Sequence, residues 1–371
     1  MSGSLAPTLI LSLVSVVVLL FVVFRLIRKN EANQRKALAV NPSEIRHPFS
    51  ETAVFPTGFV KPNNASQAGM ESVIRRAAEE WKNTCILPDL EPGRSFIPIG
   101  VKKVFLRYRY SATSLGQAMG MWASLMLAGE DPRAQEQFDN LLALLMANPS
   151  REYFAFSSWQ IIPDLRPSRR QEADLHAESW LVWLLLKAKE QWPEKNRFDY
   201  EQLALAKMEA LQQAEHEDDQ GLSLPLFWED FHALGHGEVR REKTDNFSGE
   251  EGEGPEQVLQ ALHLGLYQLS GRSEKSGKQS GYSARGLERV LNTFARGVGQ
   301  ESEDELRSGQ FSALAQLCCY TPLIMASAVQ TLVNQLWQLL ETTQPSPKDA
   351  YGATLRLLAL LLMAGKGWMF R

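Results

Sequence analysis

The chain has 371 residues, of which 44% are hydrophobic and 22% charged, so it can bury one large core or two ordinary ones and is not a disordered polymer. Its 39 Lys and Arg against 43 Asp and Glu give a net charge of -4, which excludes a broad basic field for gripping nucleic acid. Three cysteines, Cys85 and the adjacent Cys318 and Cys319, are too few and too badly spaced for a disulfide framework or a zinc site, and they read as small buried apolar residues.

After a short tail at 1–4, residues 5–27 open with "LAPTLILSLVSVVVLLFVVF", and no charged side chain precedes Arg25. That length of apolar sequence matches the hydrocarbon core of a bilayer and predicts a single transmembrane helix. A cleaved signal peptide would carry a basic leader, a shorter apolar run and a small-residue cleavage site, and these are missing. Arg25, at the end of the span, and Arg28, Lys29, Arg35 and Lys36, just beyond it, cluster on its C-terminal side. The rule that basic loops stay inside predicts a single pass through a bacterial inner membrane with the C-terminal domain cytoplasmic, a periplasmic domain being the alternative. The span carries no GxxxG pattern, and Ser12 and Ser15 are its small polar residues.

Residues 28–70 contain "HPFSETAVFPTGFVKPNN", whose prolines and paired asparagines read as a juxtamembrane tether or an arm packed on the domain surface. From 71 to 371 the pattern becomes helical. Apolar residues recur at helical spacing in "MESVIRRAAEEWKN", "LGQAMGMWASLMLAG", "AQEQFDNLLALLMAN", "ADLHAESWLVWLLLKAKEQW", "DYEQLALAKMEALQQAE", "PEQVLQALHLGLYQLSG", "ARGLERVLNTFARG", "SALAQLCCYTPLIMA", "SAVQTLVNQLWQLLETT" and "AYGATLRLLALLLMAG". Sustained strand alternation is hard to find, so the expectation is an all-α domain of helical hairpins. The polar runs "GHGEVRREKTDNFSGEEGEGPEQ" and "GRSEKSGKQSG" read as loops.

Several clusters imitate chemistry without its full pattern. His232 and His236 are four apart, but Gly235 weakens the helix and no third ligand is evident, so no metal site is expected. Phosphate loops and nucleophile elbows are absent, so neither a nucleotide partner nor a cofactor is expected. Nine tryptophans, Trp81, Trp122, Trp159, Trp180, Trp183, Trp192, Trp228, Trp337 and Trp368, could stack on sugar rings, though their helical setting favours core packing for most.

Taken in order, "SLGQAMGM", "HAESWLVWLLLKA", "GYSARGLERVL" and "YGATLRLLALLLMAGKGW" resemble the segments of glycoside hydrolase family 8, which includes the endoglucanases encoded beside bacterial cellulose synthases. "SLGQAMGMWASLMLAGEDPRAQEQFDNLLALL" is similar to the family's S-E-G-x-G-Y-G-M segment, its apolar helix and F-D-x-L. "HAESWLVWLLLKAKEQW" resembles D-A-D-L-W-x-A-x-x-L-L-x-A, "GYSARGLERVL" resembles Y-D-A-x-R-V, and "YGATLRLLALLLMAGKGW" resembles the closing helix. The upstream "EEWKN" and "EPGRSF" sit where the family has W-x-x-W-K and G-R-V. The resemblance runs from Trp81 to the end and implies an (α/α)6 barrel.

It also implies where catalysis would reside. Inverting glycosidases need a carboxylic acid at the leaving oxygen and a carboxylate that activates water across the ring. The family's acid position carries Leu115 and its base position carries Ser283, neither of which can do the work. The ungapped register places His176 and Glu178 at the family's two Asp positions, whereas a slipped register would place Glu172 and Asp174 there. Met119 replaces the aromatic after the first glycines. Trp180 and Tyr282 match the family's aromatics, and Arg285 stands one position early. Glu178, Asp174 and Asp139 are the carboxylates that could substitute. The expectation is a pseudo-glycosidase serving as a binding or scaffolding subunit of a bacterial envelope assembly with protein partners. An active endo-β-1,4-glucanase and a non-cleaving binder of β-glucan are the alternatives.

Overall fold

The computed structural model describes residues 45–55, 58–104, 107–163, 171–193, 196–217, 262, 265–266, 284–297 and 312–370. The membrane span expected at 5–27, the histidines at 232 and 236, Tyr282 and Ser283 lie outside them. Among the described residues no helix is long and apolar enough to cross a membrane.

The described chain is mostly helical. Its helices are α1 (Gln67–Thr84), α2 (Ser114–Met126), α3 (Ala134–Ala147), α4 (Leu175–Gln191), α5 (Tyr200–Glu217), α6 (Ala284–Gly297), α7 (Ala313–Cys319), α8 (Thr321–Ala326), α9 (Gln330–Thr342) and α10 (Ala350–Met363). Two expectations need correction. The segment "SALAQLCCYTPLIMA" is two helices, because Pro322 lacks an N–H and is placed in the first turn of α8, so the chain restarts at Tyr320. The domain is also not purely helical. Between α1 and α4 lie β1 (Leu87–Pro88), β2 (Ser95–Phe96), β3 (Gly100–Val104), β4 (Arg107–Thr113) and β5 (Gln160–Ile161). β1 pairs with β2, and β3, β4 and β5 form an antiparallel sheet in that order. These strands are too short, and the sheet too exposed, to print a long alternation of apolar and polar residues.

Four helices form an inner wall. α4 packs on α2, α2 on α10, and α10 on α7, while α3, α5, α6, α9 and α1 lie against them from outside. Burial follows this division: all 13 residues of α2 are buried, and so is every residue of α10 except Ala353. Helices with no polar stripe can only be stable when neighbours cover them on every side, which is the condition of an inner layer. Trp122 stacks on Trp180 at 5.3 Å, and Trp183 meets both edge-on, tying α2 to α4. On the other flank, the Trp81 ring nitrogen donates to Thr354 Oγ1 at 2.9 Å and fixes α1 to α10. The three cysteines are buried free thiols; burial pushes Cys85 up to about 11 and Cys319 up to about 12.

Residues 45–55 form a strap across one end of this wall. His47 stacks on Trp368 at 4.2 Å and lies 3.3 Å from both Glu51 and Glu190, while Gln191 exchanges hydrogen bonds with the His47 backbone. The Phe49 N–H donates to the Ala128 carbonyl at 2.7 Å, just past the C-terminus of α2. Lys366 Nζ donates to the Phe49 carbonyl at 2.7 Å and pairs with Glu71 at 2.8 Å. The strap therefore crosses the barrel where α2, α4 and α10 end.

Candidate functional site

The opposite end is set by the entry of β4 into α2. No loop intervenes: Thr113 caps the helix by accepting from the Gly116 N–H at 3.1 Å, and Ser114 N–H donates to the Trp159 carbonyl at 3.0 Å. Gly116 and Gly120 make the close approach possible. A Cβ on Gly120 would lie 2.1 Å from Ile97, and one on Gly116 would lie 2.5 Å from Ile99. Gln117 adds a polar lock by pairing both its amide groups with the Ile97 backbone at 3.2 Å. Leu115, in the first turn of α2, is 8% exposed. Beside it, the buried Ser114 hydroxyl has no hydrogen-bond partner among the described residues.

Glu178 is linked to this helix head through the segment 157–159 and is fully buried in the first turn of α4. Its Oε1 accepts from the Ser157 N–H at 2.7 Å and from the Ser157 hydroxyl. Its Oε2 pairs with Lys207 Nζ at 2.5 Å, and the same ammonium donates to the Ala155 carbonyl at 2.8 Å. Both carboxylate oxygens are thus held in place by hydrogen bonds. Removing one member would strand the other charge in the core, at a cost of about 3–5 kcal/mol. The group therefore staples α4, α5 and the loop before β5, and it is not presented to an open cleft.

The remaining candidates disperse. Asp174 caps α4, accepting from the Ala177 N–H at 3.1 Å. Glu172 pairs with Arg151 at 3.0 Å on the surface. Asp139 lies on α3, near the junction of α4 and α5, and accepts from the Tyr200 hydroxyl at 2.7 Å. Burial raises its pKa from 3.8 to about 6 against the pull of that hydrogen bond and of Arg197. His176 and Arg285 are exposed, in the first turns of α4 and α6. Met119 and Trp180, which the resemblance sets at the family's aromatic positions, are buried inside the wall, where α2 and α4 pack against each other. Trp159, by contrast, is 40% exposed beside the head of α2.

Lys207 and Ser157 are the members of this arrangement that sequence reasoning missed. Lys207 stands on the stripe formed by Ala204, Met208 and Leu211, all buried. A lysine on an apolar helical stripe signals a buried acidic partner, and Glu178 on the neighbouring helix supplies it.

No protein-family model matches the chain. A beta-glucanase of Niallia circulans is 23% identical over 170 residues, covering 45% of this chain and 39% of its own length. The chain thus spans about two fifths of that relative. Among solved structures, the apo beta-1,3-1,4-glucanase of Paenibacillus sp. X4 superposes with a TM-score of 0.56 at 16% identity, covering 87% of this chain and 99% of the other. A cold-adapted family 8 xylanase in complex with substrate gives 0.57 at 14% identity, covering 90% and 99%. The fold is that of family 8 glycosidases.

Within the family 8 fold, the helix head at Leu115 and the staple at Glu178 occupy the end of the barrel away from the strap. Three features meet there: an apolar residue in the first turn of α2, a caged carboxylate in the first turn of α4, and an exposed indole between them in the chain. Among the described residues, no cluster of His, Cys, Asp and Glu is arranged to hold a metal ion.

Proposed function

We propose that this is a membrane-anchored, catalytically inactive protein of the family 8 fold, acting as a binding or scaffolding subunit of a bacterial envelope assembly. The observation that carries the reading is the state of Glu178. It is the carboxylate best placed by the ungapped register, and it is fully buried against Ser157 and Lys207. A general acid must reach the leaving oxygen of a bound glycan, and a carboxylate fully buried under Ser157 and Lys207 has no access to one. Leu115 cannot supply the proton, and Ser283 is too weak a base at neutral pH.

The test is hydrolysis by the detergent-purified full chain of carboxymethylcellulose, mixed-linkage β-glucan, chitosan and xylan. No turnover is expected. Turnover abolished by E178Q or D174N would overturn the proposal and establish a glucanase with displaced catalytic groups. A second reading, binding without cleavage, draws on the exposed Trp159 beside the head of α2, since an uncovered indole can stack on a pyranose ring. Calorimetry with cello-oligosaccharides separates it: heat lost in W159A assigns a glycan, and no heat in the wild type leaves the protein scaffold.

A further inference from the structure

Away from the helix head and Glu178, the ribbon formed by β3 and β4 has an unusual surface. No acidic residue occurs between Glu91 and Glu130, yet Lys102, Lys103, Arg107 and Arg109 all fall in this hairpin of a chain whose net charge is -4. β4 alternates arginine with tyrosine, and Tyr108 and Tyr110 are 70% and 51% exposed. The register sets Lys103 opposite Tyr108 and Val101 opposite Tyr110. The two tyrosines therefore share one face with Lys103, about 7 Å apart along the strand, while Arg107 and Arg109 take the other. Uncovered tyrosines interleaved with arginines are the composition of interface hot spots.

β3 is the outer strand of its sheet, and among the described residues no strand pairs with its far edge. Lysine on an edge strand alone serves to discourage aggregation. Here it lies beside two exposed aromatic rings, which add apolar attraction and make the edge selective for a partner of opposite charge.

The open edge decides which kind of acidic partner fits. β4 leads into the N-terminus of α2, whereas the strap that leads back toward the expected span crosses the other end. The length of α2, roughly 20 Å, separates them. The ribbon thus lies at the end of α2 away from the strap, and a lipid surface offers no backbone to pair with its open edge. The open backbone edge can be completed by another peptide and not by a polysaccharide.

We infer that the β3–β4 ribbon docks an extended acidic segment of a protein partner, added as a further strand along Gly100–Val104 within reach of the ribbon's cations and tyrosines. The inference deepens the scaffolding reading and rests on it for the existence of a protein partner, but its test does not depend on whether the chain hydrolyses glycans. The probe is a short fluorescein-labelled peptide alternating glutamate and valine, titrated by anisotropy with the full chain in detergent. Binding is expected to weaken about tenfold or more in K103E/R107E and in Y108A, and equally when a central valine of the peptide becomes proline. These side chains are exposed, so unchanged far-ultraviolet circular dichroism should accompany the loss. No binding to the wild-type chain, or a proline peptide that binds as tightly as its parent, would overturn strand addition. Polygalacturonate or phosphatidylglycerol vesicles that displace the peptide and lose affinity in K103E/R107E would instead reassign the ribbon to an acidic glycan or a lipid surface.

Discussion

Glu178 and Asp139 are both buried carboxylates, but their surroundings give them opposite characters. Glu178 has an ammonium and two donors from Ser157, so its negative charge is compensated in place. Asp139 has one phenolic hydroxyl, and burial lifts its pKa to about 6. The folded state therefore holds the Asp139 proton more tightly than the unfolded chain does. Stability contributed by this group is greatest below an unfolded value of 3.8 and is lost as pH rises through about 6. The full gap corresponds to about 3 kcal/mol as an upper bound, since tyrosine rotation and water can relax it. The side-chain amide introduced by D139N can still accept from Tyr200 and carries no charge to desolvate. The variant should unfold at higher urea than the wild type at pH 7.5, by about 1–2 kcal/mol, and the advantage should shrink to a few tenths of a kcal/mol at pH 4. An equal advantage at both pH values would mean that packing, not ionisation, sets the difference. Neither character was legible in the sequence, because it depends on which distant side chains face the carboxylate: Ser157 and Lys207 for one, Tyr200 for the other.

At the scale of elements, the helices were legible because each carries its own periodic record of burial. α2 and α10 are apolar on nearly all sides in sequence and buried on nearly all sides in the fold. The ribbon was not legible, since its strands are short and its exposed tyrosines belong to an external surface. The junction between the two kinds of element is the least tolerant place in the domain. Ile97 and Ile99, on the segment joining β2 to β3, press into the surface of α2 at Gly120 and Gly116. At Gly120 an added methyl would have to displace Ile97, which is fully buried, so G120A should destabilise by about 1–3 kcal/mol despite alanine's better helix propensity. Chemical denaturation gives the sign. The companion change I97V should recover part of the loss by freeing volume at the same contact, an outcome that a purely propensity-based effect would not produce.

Across the whole molecule, the two ends of the barrel have separate duties. The strap occupies one, where Lys366 holds the Phe49 carbonyl and pairs with Glu71, so the chain arriving from the N-terminal side is fastened before the first helix begins. The other end carries the helix head at Leu115, the exposed Trp159 and the ribbon. A domain fastened in this way presents its ribbon and helix head at the end opposite the strap, as the proposed scaffold needs and as a hydrolase acting on a distant polymer also would. The side of the membrane therefore separates these roles. Arg25, Arg28, Lys29, Arg35 and Lys36 cluster at the C-terminal end of the expected span and just beyond it, and this asymmetry predicts a cytoplasmic barrel. A C-terminal tag should then survive protease added to spheroplasts and be digested once the membrane is opened with detergent. Digestion in intact spheroplasts would place the barrel in the periplasm. There the ribbon would meet envelope polymers as well as proteins, and the glycan-binding reading would gain at the scaffold's expense.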